Sequence, residues 1–433
     1  MIGAIGTPVW EATAQPGPTT APLKSGATTD VVIVGAGFLG LSAAAALASA
    51  GVDVIVLDAG DIGAGASGRN AGFVVPHFSR ADPAELAQRL SQRAAEQTLG
   101  LLESGADRVF ALATEAGLGR QAEQVGWLQP AHEPASADLL QKRVAMWQAR
   151  GRPVRWLDRA EVAERTGTSG YFGALEDASG GMINPLAFAR ALARRAIAAG
   201  VQLHTRTTAM DIATDGNAHT LRLSTGATVR ATRVLLASNA GTTGAARKLG
   251  QSVLPLSVYQ IATEPLPAET VARIAPRRQP VSDTRTNIFT YRLDADNRLI
   301  SGGMALIPYA AERRMARRIA ERLAQQLDLG SVPQIDAVWR GTAAMTRDGL
   351  PLLTTAGAGI FGAVGCNGRG VAFTTVLGEA LGNWMAAGAD PNEAPLPLLP
   401  SRALPLRGLA RWAPSLVLLR GILAERGATA RAE

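Results

Sequence analysis

The stretch that decides the fold is Asp30-Val-Val-Ile-Val-Gly-Ala-Gly-Phe-Leu-Gly40. After Asp30, the apolar, β-branched run over residues 31–34 predicts a buried parallel strand. The Ala- and Leu-rich residues 41–50 predict a helix, which Gly51 ends. A second apolar run, residues 52–57, predicts the next strand. These segments form a strand–glycine loop–helix–strand unit, which is typical of a doubly wound α/β domain.

Three glycines and one acid in this unit point to a ligand. Gly35, Gly37 and Gly40 follow the G-x-G-x-x-G pattern, which permits a tight turn, a close approach to a pyrophosphate and close helix packing. Asp58 lies eighteen residues past Gly40, where a carboxylate accepts hydrogen bonds from ribose hydroxyls. The helix N-terminus offers N–H groups to phosphates. We therefore predict an adenine dinucleotide, against the alternative of a tight βα turn in an unrelated fold.

A second glycine-rich stretch distinguishes the two common dinucleotides. Gly63-Ala-Gly-Ala-Ser-Gly-Arg-Asn-Ala-Gly-Phe73 follows the second strand and carries hydrogen-bond donors at Ser67, Arg69 and Asn70. Such a loop suits the extended pyrophosphate–ribityl chain of a flavin, whereas an exposed flexible loop is the alternative. We therefore predict FAD rather than NAD.

Several motifs together resemble one flavoprotein superfamily, that of D-amino-acid oxidase and glycine oxidase. The resemblance rests on residues 30–40, Asp58, Gly65-Ala-Ser-Gly-Arg-Asn70 and the segment 365–378. Three further stretches are similar to its γ-glutamylputrescine oxidase-like branch: Trp10-Glu-Ala-Thr13, Gly180-Gly-Met-Ile-Asn-Pro185 and Thr346-Arg-Asp-Gly-Leu-Pro351. The resemblance implies an α/β fold with a Rossmann-like FAD-binding domain, discontinuous in sequence, and an inserted substrate domain with a mixed or antiparallel sheet.

Dinucleotide-type elements occur near the start, the middle and the end of the chain, which predicts a nucleotide domain assembled from separate stretches. We predict an N-terminal arm at 1–28, an FAD-binding domain at 29–84, 180–255 and 335–395, a substrate domain at 85–179 and 256–334, and a C-terminal tail at 396–433 with an apolar helix over 415–424. Within these, a helical region over 83–117 is expected to break near Gly100 and Gly105. A helix over 185–199 is expected to bury Ile197, and residues 234–237 are expected to form a strand of their own.

The glycine-rich segment 365–371 precedes another predicted helix. By the resemblance this segment reaches the isoalloxazine ring, and N–H groups at a helix N-terminus can stabilise negative charge on a reduced flavin. By the same resemblance Ala209 meets the adenine, although many family members carry valine there. The predicted cofactor contacts are Gly35, Gly37, Phe38, Leu39, Gly40, Asp58, Ala59, Gly65, Ala66, Ser67, Gly68, Arg69, Asn70, Ala209, Asn367, Gly368, Arg369, Gly370 and Val371.

The single cysteine, Cys366, bears on how a flavin is held. Related sarcosine-oxidase-type enzymes attach FAD through a cysteine near the Thr346 motif, but that region here is Gly341-Thr-Ala-Ala-Met345. We therefore predict non-covalent FAD. One cysteine also excludes an internal disulfide, which fits a cytoplasmic location.

Candidate residues beside the substrate follow from position. They are His77, Tyr259, Tyr291, Arg292 and Arg340. His77 follows the flavin loop and is a candidate base or polar contact, with a structural histidine as the alternative. By the resemblance, Tyr and Arg residues on the strands of the substrate domain bind a carboxylate, with sheet packing as the alternative. The four histidines are far apart, so no metal ligand is predicted.

Composition limits the other function classes. The chain has 433 residues and a formal net charge of +7, carried by arginines that are scattered rather than gathered in one stripe, so we expect no nucleic-acid partner. It contains no run of eighteen apolar residues and no secretory signal pattern.

The leading hypothesis is an FAD-dependent enzyme that oxidises a C–N bond of a small amine or amino or imino acid. Hydride would pass to flavin N5, the imine would hydrolyse, and O2 or another acceptor would take the electrons. One alternative is a 2-hydroxy-acid or glycerol-phosphate-type dehydrogenase that feeds quinone, with the helix over 415–424 on the membrane surface. Another is a flavoprotein without catalysis.

Overall fold

The computed structural model describes residues 2–79, 81–241, 244–307 and 309–404. The strands are β1 (Ile2–Ile5), β2 (Ala27–Val34), β3 (Val54–Leu57), β4 (Phe73–Val74), β5 (Ala122–Glu123), β6 (Trp127–Pro130), β7 (Val154–Leu157), β8 (Ala174–Asp177), β9 (Gly181–Ile183), β10 (Gln202–His204), β11 (Ala209–Asp215), β12 (Ala218–Leu223), β13 (Thr228–Leu236), β14 (Leu254–Pro265), β15 (Val281–Ser282), β16 (Thr290–Leu293), β17 (Arg298–Met304), β18 (Ile335–Met345), β19 (Leu352–Gly357), β20 (Ile360–Val364) and β21 (Leu398–Pro400). The helices are α1 (Trp10–Thr13), α2 (Phe38–Ser49), α3 (Ala66–Arg69), α4 (Pro83–Arg89), α5 (Gln92–Glu115), α6 (Pro134–Gln148), α7 (Arg159–Thr166), α8 (Pro185–Ala198), α9 (Arg247–Gly250), α10 (Ala268–Ile274), α11 (Glu312–Gln326) and α12 (Gly370–Ala386).

The first sheet, here called the nucleotide sheet, has the strand order β10-β3-β2-β13-β20-β19-β21. Its strands from β10 to β20 run parallel, and β19 is antiparallel to β20. Val31, Val32 and Ile33 of β2 have no exposed surface, because residues of helices α2, α8 and α12 cover one face of the sheet and residues of strands β11 and β12 cover the other. Continuous burial explains why this strand lacks an apolar–polar alternation. The predicted Rossmann-like unit is confirmed.

The helices α12 and α8 pack against α2, and α5 packs on α12. The predicted break near Gly100 and Gly105 is wrong, since α5 continues from Gln92 to Glu115 and the chain breaks before it, where the Ser91 side chain accepts from the backbone N–H of Ala94. A Cβ on Gly105 would lie 3.1 Å from the backbone of Ala372. The glycine therefore allows α12 to approach closely and does not interrupt the helix.

The second sheet, here called the substrate sheet, has the order β1-β18-β14-β17-β16-β15-β6-β8-β7. Most neighbouring pairs are antiparallel, while β1 pairs parallel with β18 and β15 pairs parallel with β6. Helix α11 buries Met315, Ile319 and Leu323 in a core that it shares with this sheet. The predicted mixed sheet of a second domain is confirmed. A small sheet, β4-β9-β5, accompanies the two large ones.

Four segments lie elsewhere than the predicted domain boundaries place them. Residues 2–5 of the predicted arm form β1, an edge strand of the substrate sheet. Strand β18, predicted in the FAD-binding domain, hydrogen-bonds along β14 in the substrate sheet. Helix α5, predicted in the substrate domain, packs on α12 of the nucleotide domain. In the predicted tail, β21 pairs with β19 and extends the nucleotide sheet. Strand pairing and helix packing, rather than position in sequence, determine to which sheet or domain each segment belongs.

Two smaller predictions also need correction. Ile197, expected on the inner side of its helix, is 37% exposed, because it lies on the face of α8 opposite the buried Phe188 and Leu192. Residues 234–237 are not a separate strand, since β13 continues from Thr228 to Leu236. The predicted helix over 415–424 lies outside the described residues. Across the described ranges, no helix is both long enough and apolar enough to cross a bilayer.

Candidate active site

A cavity of about 1260 Å³ is lined by residues of both sheets. Gly35, Asp58, Ala237 and Gly365 directly follow β2, β3, β13 and β20, and all four line this cavity. Ligands of open α/β sheets bind at the carboxyl ends of the parallel strands, which is where these residues lie. The volume exceeds the roughly 300–1,000 Å³ of an ordinary small-molecule pocket. The cavity therefore has room for an elongated cofactor and a second molecule.

The glycine loop takes a conformation that a side chain would prevent. Gly35 has a φ of +122°, and a Cβ there would lie 2.6 Å from the carbonyl oxygen of Ala237. A Cβ on Gly40 would lie 2.0 Å from the carbonyl oxygen of Gly35. Helix α2 begins at Phe38, immediately after this turn, so its N-terminal end adjoins the cavity. The loop has the geometry of an anion-binding helix N-terminus.

Asp58 holds the glycine loop against β3. Its carboxylate accepts hydrogen bonds from the backbone N–H of Ala36 at 2.7 Å and of Gly60 at 2.8 Å. Burial raises the pKa of the Asp58 carboxyl, and the two N–H groups oppose that rise. Asp58 lines the cavity. It can therefore serve both as a brace of the loop and as an acceptor for ribose hydroxyls.

The loop around α3 connects the glycine turn to the rest of the cavity. The Ser67 hydroxyl accepts from the Phe38 backbone N–H at 3.0 Å. The Asn70 side chain accepts from the Gly72 N–H at 2.7 Å and donates to the Ser67 carbonyl at 2.9 Å. Ser67 and Asn70 both line the cavity. Their side chains thus fix the loop, and its backbone faces the ligand space.

Arg69 ties the same loop to the substrate sheet. Its Nε donates to the carbonyl of Arg340 at 2.7 Å, and one terminal nitrogen donates to the carbonyl of Gly6 at 2.7 Å. The Trp339 indole N–H donates to the Arg69 carbonyl at 3.0 Å. Burial lowers the pKa of Arg69, and neighbouring Arg340 lowers it further. This arginine is therefore an anchor between the two sheets.

The segment from Gly365 to Gly370, which follows β20, also lines the cavity. The Asn367 amide oxygen accepts from the Thr346 N–H at 2.9 Å, and its nitrogen donates to the Gly365 carbonyl at 2.8 Å. The Cys366 sulfur accepts from the Asn239 amide at 3.4 Å. Arg369 is the residue before α12. The two glycine-rich loops, far apart in sequence, therefore line one cavity.

The predicted cofactor contacts divide clearly by position. All of them line the cavity except Gly40 and Gly68. Gly68 packs like Gly40, since a Cβ there would lie 2.4 Å from the carbonyl oxygen of Gly63. Ala209, the predicted adenine contact, is buried and lines the cavity from β11.

The two tyrosines predicted beside the substrate lie on the other side of their sheet. Tyr259 and Tyr291 are fully buried in the core beneath α11, outside the cavity lining. The Tyr291 hydroxyl donates to the carbonyl of Ile274 at 3.2 Å. Because side chains alternate along a strand, the neighbours of Tyr259, Val258 and Gln260, face the cavity instead. The packing alternative holds for both tyrosines.

The predicted arginines take different positions. Arg292 is buried and donates to the carbonyls of Ala71 at 2.5 Å and Ile183 at 2.9 Å, so backbone acceptors occupy it and it does not line the cavity. Arg340 lines the cavity. Its side chain hydrogen-bonds that of Tyr259, its partner in the β14–β18 register.

His77, the predicted base or polar contact, is a buried structural residue. Its Nε2 lies 2.9 Å from an Asp177 carboxylate oxygen, and its ring packs 5.4 Å from Trp127 and 5.0 Å from Trp147 between centroids. It does not line the cavity. His77 follows the flavin loop in sequence, but this position did not indicate that its side chain points into the protein core.

Sequence reasoning missed the polar residues that line the substrate end of the cavity. They include Gln129, Arg143, Gln260, Asp283, Arg285 and Glu312. Asp283 and Arg285 form an ion pair, and Asp283 also accepts from the Phe289 N–H at 2.8 Å. Gln260 can be placed at the cavity only when the register of β14 is known, because side chains alternate between the two faces of a strand. Arg143 has no local sequence signal, because a buried and a solvated arginine on a helix look alike.

A family model described as FAD dependent oxidoreductase, DAO, matches residues 30–384. The chain belongs to this family. It is 28% identical over 374 residues to "Probable oxidoreductase OrdL" of Rhizobium meliloti (strain 1021), covering 86% of each chain. It is 27% identical to the gamma-glutamylputrescine oxidoreductase of Escherichia coli (strain K12), covering 86% of this chain and 87% of the relative.

Solved structures agree on the fold of this FAD-dependent family. Glycine oxidase from Geobacillus kaustophilus superposes with a TM-score of 0.71 at 24% identity, covering 84% of this chain and 95% of that chain. Iminodiacetate oxidase from Chelativorans sp. BNC1 superposes with a TM-score of 0.67 at 20% identity, covering 86% and 100%.

The residues present fit the family's cofactor. The glycine turn and the N-terminus of α2 suit the pyrophosphate, Asp58 suits the ribose, and the cavity continues past the 365–370 loop. The chain is therefore an FAD-dependent oxidoreductase, and the predicted superfamily is confirmed.

Proposed function

We propose that the protein uses non-covalently bound FAD to oxidise a C–N bond of a small amine or amino or imino acid. The observation that carries this proposal is one continuous cavity, which extends from the glycine turn at Gly35 to a polar end lined by Gln260 and Arg369. Cofactor and substrate would therefore share one space. Bound FAD would supply the acceptor, its N5 taking a hydride from the carbon next to nitrogen, and the resulting imine would hydrolyse in water.

The chain's own residues would position the substrate and exclude water. Leu140, Ile288 and Met304 give the substrate end apolar walls, while Gln260 and Arg369 offer polar groups among them. A few polar groups in an apolar pocket fix the orientation of a small ligand. Correct placement of the reacting carbon is the main contribution a protein makes to this chemistry.

The names of the relatives support a nitrogen-containing substrate. They include a gamma-glutamylputrescine oxidoreductase, a glycine oxidase, an iminodiacetate oxidase and an L-proline dehydrogenase. Each of these names includes a compound with a C–N bond, but some of the enzymes are called oxidases and another is called a dehydrogenase. We therefore propose the bond that is oxidised and leave O2 as one of the acceptors to be tested.

The test is an anaerobic screen read at the visible absorbance band of the flavin. Candidate substrates are polyamine derivatives, N-methyl amino acids, iminodiacids and D- and L-amino acids, with 2-hydroxy acids and glycerol phosphate as the alternative class. Bleaching by members of the first class supports the proposal. Bleaching by the second class alone, or by neither while dithionite still reduces the flavin, contradicts it.

The absence of a covalent link has its own support and test. Cys366 is the only cysteine in the sequence, and its sulfur accepts a hydrogen bond from Asn239. Acid precipitation of the holoenzyme should release yellow flavin into the supernatant. Flavin that stays in the pellet of the wild type but not of Cys366→Ser would identify a cysteinyl link.

A further inference from the structure

We propose that Arg143 on α6 and Arg369 before α12 form an anion subsite that binds a carboxylate of the substrate. The inference rests on the proposed function, since it names the substrate's second group. It places this group on the wall formed by α6 and the 365–370 loop, and not on the strands of the substrate sheet, where the sequence predicted it.

Both arginines reach the same part of the cavity from different elements. Each lines the cavity, as does Gln129, whose amide oxygen accepts from Arg143 at 3.1 Å. The Arg369 guanidinium lies 5.1 Å from the centroid of the Trp127 ring and donates to the carbonyl of Phe78 at 3.2 Å. Stacking on the indole and this backbone bond hold the guanidinium beside the ligand space.

The charges of the two arginines are balanced unequally. Arg143 forms an ion pair with Asp82, with 2.6 Å between Nε and the carboxylate. Arg369 forms no ion pair with any residue in the described ranges. Burial lowers the pKa of Arg369 to about 9, and Arg143 contributes to the lowering while Asp82 opposes it. A buried cation beside a like charge costs free energy, which a bound anion would recover.

The other arginines that line the cavity already have protein partners for their side chains. Arg69 donates to two backbone carbonyls, Arg285 is paired with Asp283, and Arg340 hydrogen-bonds Tyr259. Arg369 forms no ion pair among the described residues and its side chain donates one hydrogen bond there, to a backbone carbonyl, so it keeps an unpaired charge and further N–H donors for a ligand. A planar guanidinium with free N–H groups suits a carboxylate, which it binds through two parallel hydrogen bonds.

The position of Arg369 relates the anion to the reacting end of the cavity. It lies within the loop that joins β20 to α12, next to Gly370, the first residue of the helix. A carboxylate bound there would keep its neighbouring carbon near this loop. The subsite therefore favours amino or imino acids over simple amines as substrates.

The experiment measures binding of a carboxylate that the enzyme cannot oxidise at a C–N bond. Propionate and its neutral isostere propionamide are titrated into the FAD-loaded enzyme at constant ionic strength, with the visible flavin spectrum and calorimetry as readouts. Propionate should bind and propionamide should bind at least about tenfold more weakly. Arg369→Met should weaken propionate binding about tenfold or more, the range expected for losing charge-assisted hydrogen bonds.

Two conservative variants and one control keep the result interpretable. Arg369→Lys and Arg143→Lys retain the positive charge and should bind propionate more tightly than Arg369→Met does. FAD content and thermal melts report whether each variant is folded. Arg317→Met, an exposed change on α11, should bind propionate as the wild type does. Wild-type propionate binding in folded Arg369→Met overturns the subsite.

The outcomes separate this inference from the proposed function. If amines or amino acids bleach the flavin but propionate binds equally to wild type and Arg369→Met, the subsite is wrong and the proposed function stands. If Arg369 is needed for propionate binding but no C–N compound bleaches the flavin, the subsite stands and the proposed function fails.

Discussion

The indole N–H of Trp10 donates to the backbone carbonyl of Asn70 at 3.0 Å, joining the N-terminal segment to the loop that borders the cofactor end of the cavity. The same ring packs edge-on against Trp339 at 5.8 Å, and the indole N–H of Trp339 donates to the carbonyl of Arg69. Two tryptophans that are far apart in sequence therefore bond two consecutive carbonyls of one loop. The segment predicted as an arm therefore supports the loop that lines the cavity, and its Gly6 lines the cavity itself.

Trp10→Phe should weaken FAD binding. Phenylalanine keeps an aromatic ring in this core but cannot donate to Asn70, a loss of about 1 kcal/mol, which is about fivefold in the dissociation constant if it falls on the FAD-bound state. Titration of the apoprotein with FAD, followed by flavin fluorescence quenching, measures the change. Trp384→Phe is the matched control, because it removes an indole bond to Asp390 far from the loop. Equal FAD affinity in the two variants would contradict this role.

Asp58→Asn should lower FAD affinity about tenfold or more. The carboxylate accepts two backbone N–H bonds and borders the cavity, and bonds to a charged acceptor contribute about 1.5–3 kcal/mol each. Asparagine keeps the shape but loses one acceptor and the charge. The measurement is again the FAD dissociation constant of the apoprotein. Asp61→Asn, at a nearby side chain that is 75% exposed, is the control and should leave the affinity unchanged.

The strand–loop–helix unit that begins at β2 could be predicted because its signals are local. Strand burial, the φ of Gly35 and the acid at position 58 all follow from residues close in sequence. That the 365–370 loop lies beside this unit was expected from the resemblance to the flavoprotein superfamily, and the structure supplies the reason, since both loops follow parallel strands that share one carboxyl edge. The cofactor half of the site was therefore accessible to sequence reasoning.

The substrate half was not accessible, for a reason visible in β14. Core residues beneath α11 cover one face of this strand and the cavity lies on the other, so apolar residues occur at both parities around Tyr259 and Gln260. The strand therefore lacks an apolar–polar alternation, and the residues near it in sequence do not indicate which side chain faces the substrate. Arg143 lies on a separate helix, and only tertiary packing brings it near Arg369.

Gln260→Leu should impair substrate binding without impairing the fold. The amide is 8% exposed, lines the cavity, and its oxygen has no hydrogen-bond partner among the described residues. A buried acceptor without a partner costs free energy, so leucine should leave the melting temperature equal or higher. If the amide binds substrate, KM should rise about tenfold with FAD affinity unchanged. Steady-state kinetics and thermal melts measure both effects.

The control for this change is Gln148→Leu, at an exposed residue of α6 outside the cavity lining. It should leave KM at the wild-type value. A lower melting temperature and an unchanged KM in Gln260→Leu would instead make the amide a structural group.

His77 should make folding stability fall as the pH drops from 7 to 5. Burial lowers the pKa of His77, Arg143 and Arg369 add to the lowering, and the bond to Asp177 opposes it. Folded His77 therefore stays neutral where the unfolded chain already takes up a proton, at the ordinary histidine pKa of about 6.5. The unfolded state binds more protons in this window, so the free energy of unfolding rises with pH and is lost towards acid. His77→Gln removes this titration and should flatten the pH dependence of the free energy of unfolding, measured by urea unfolding at each pH.

The control for this change is His204→Gln, at a partly exposed histidine, which should retain the wild-type slope of unfolding free energy against pH. Equal slopes in the two variants would contradict the role of His77.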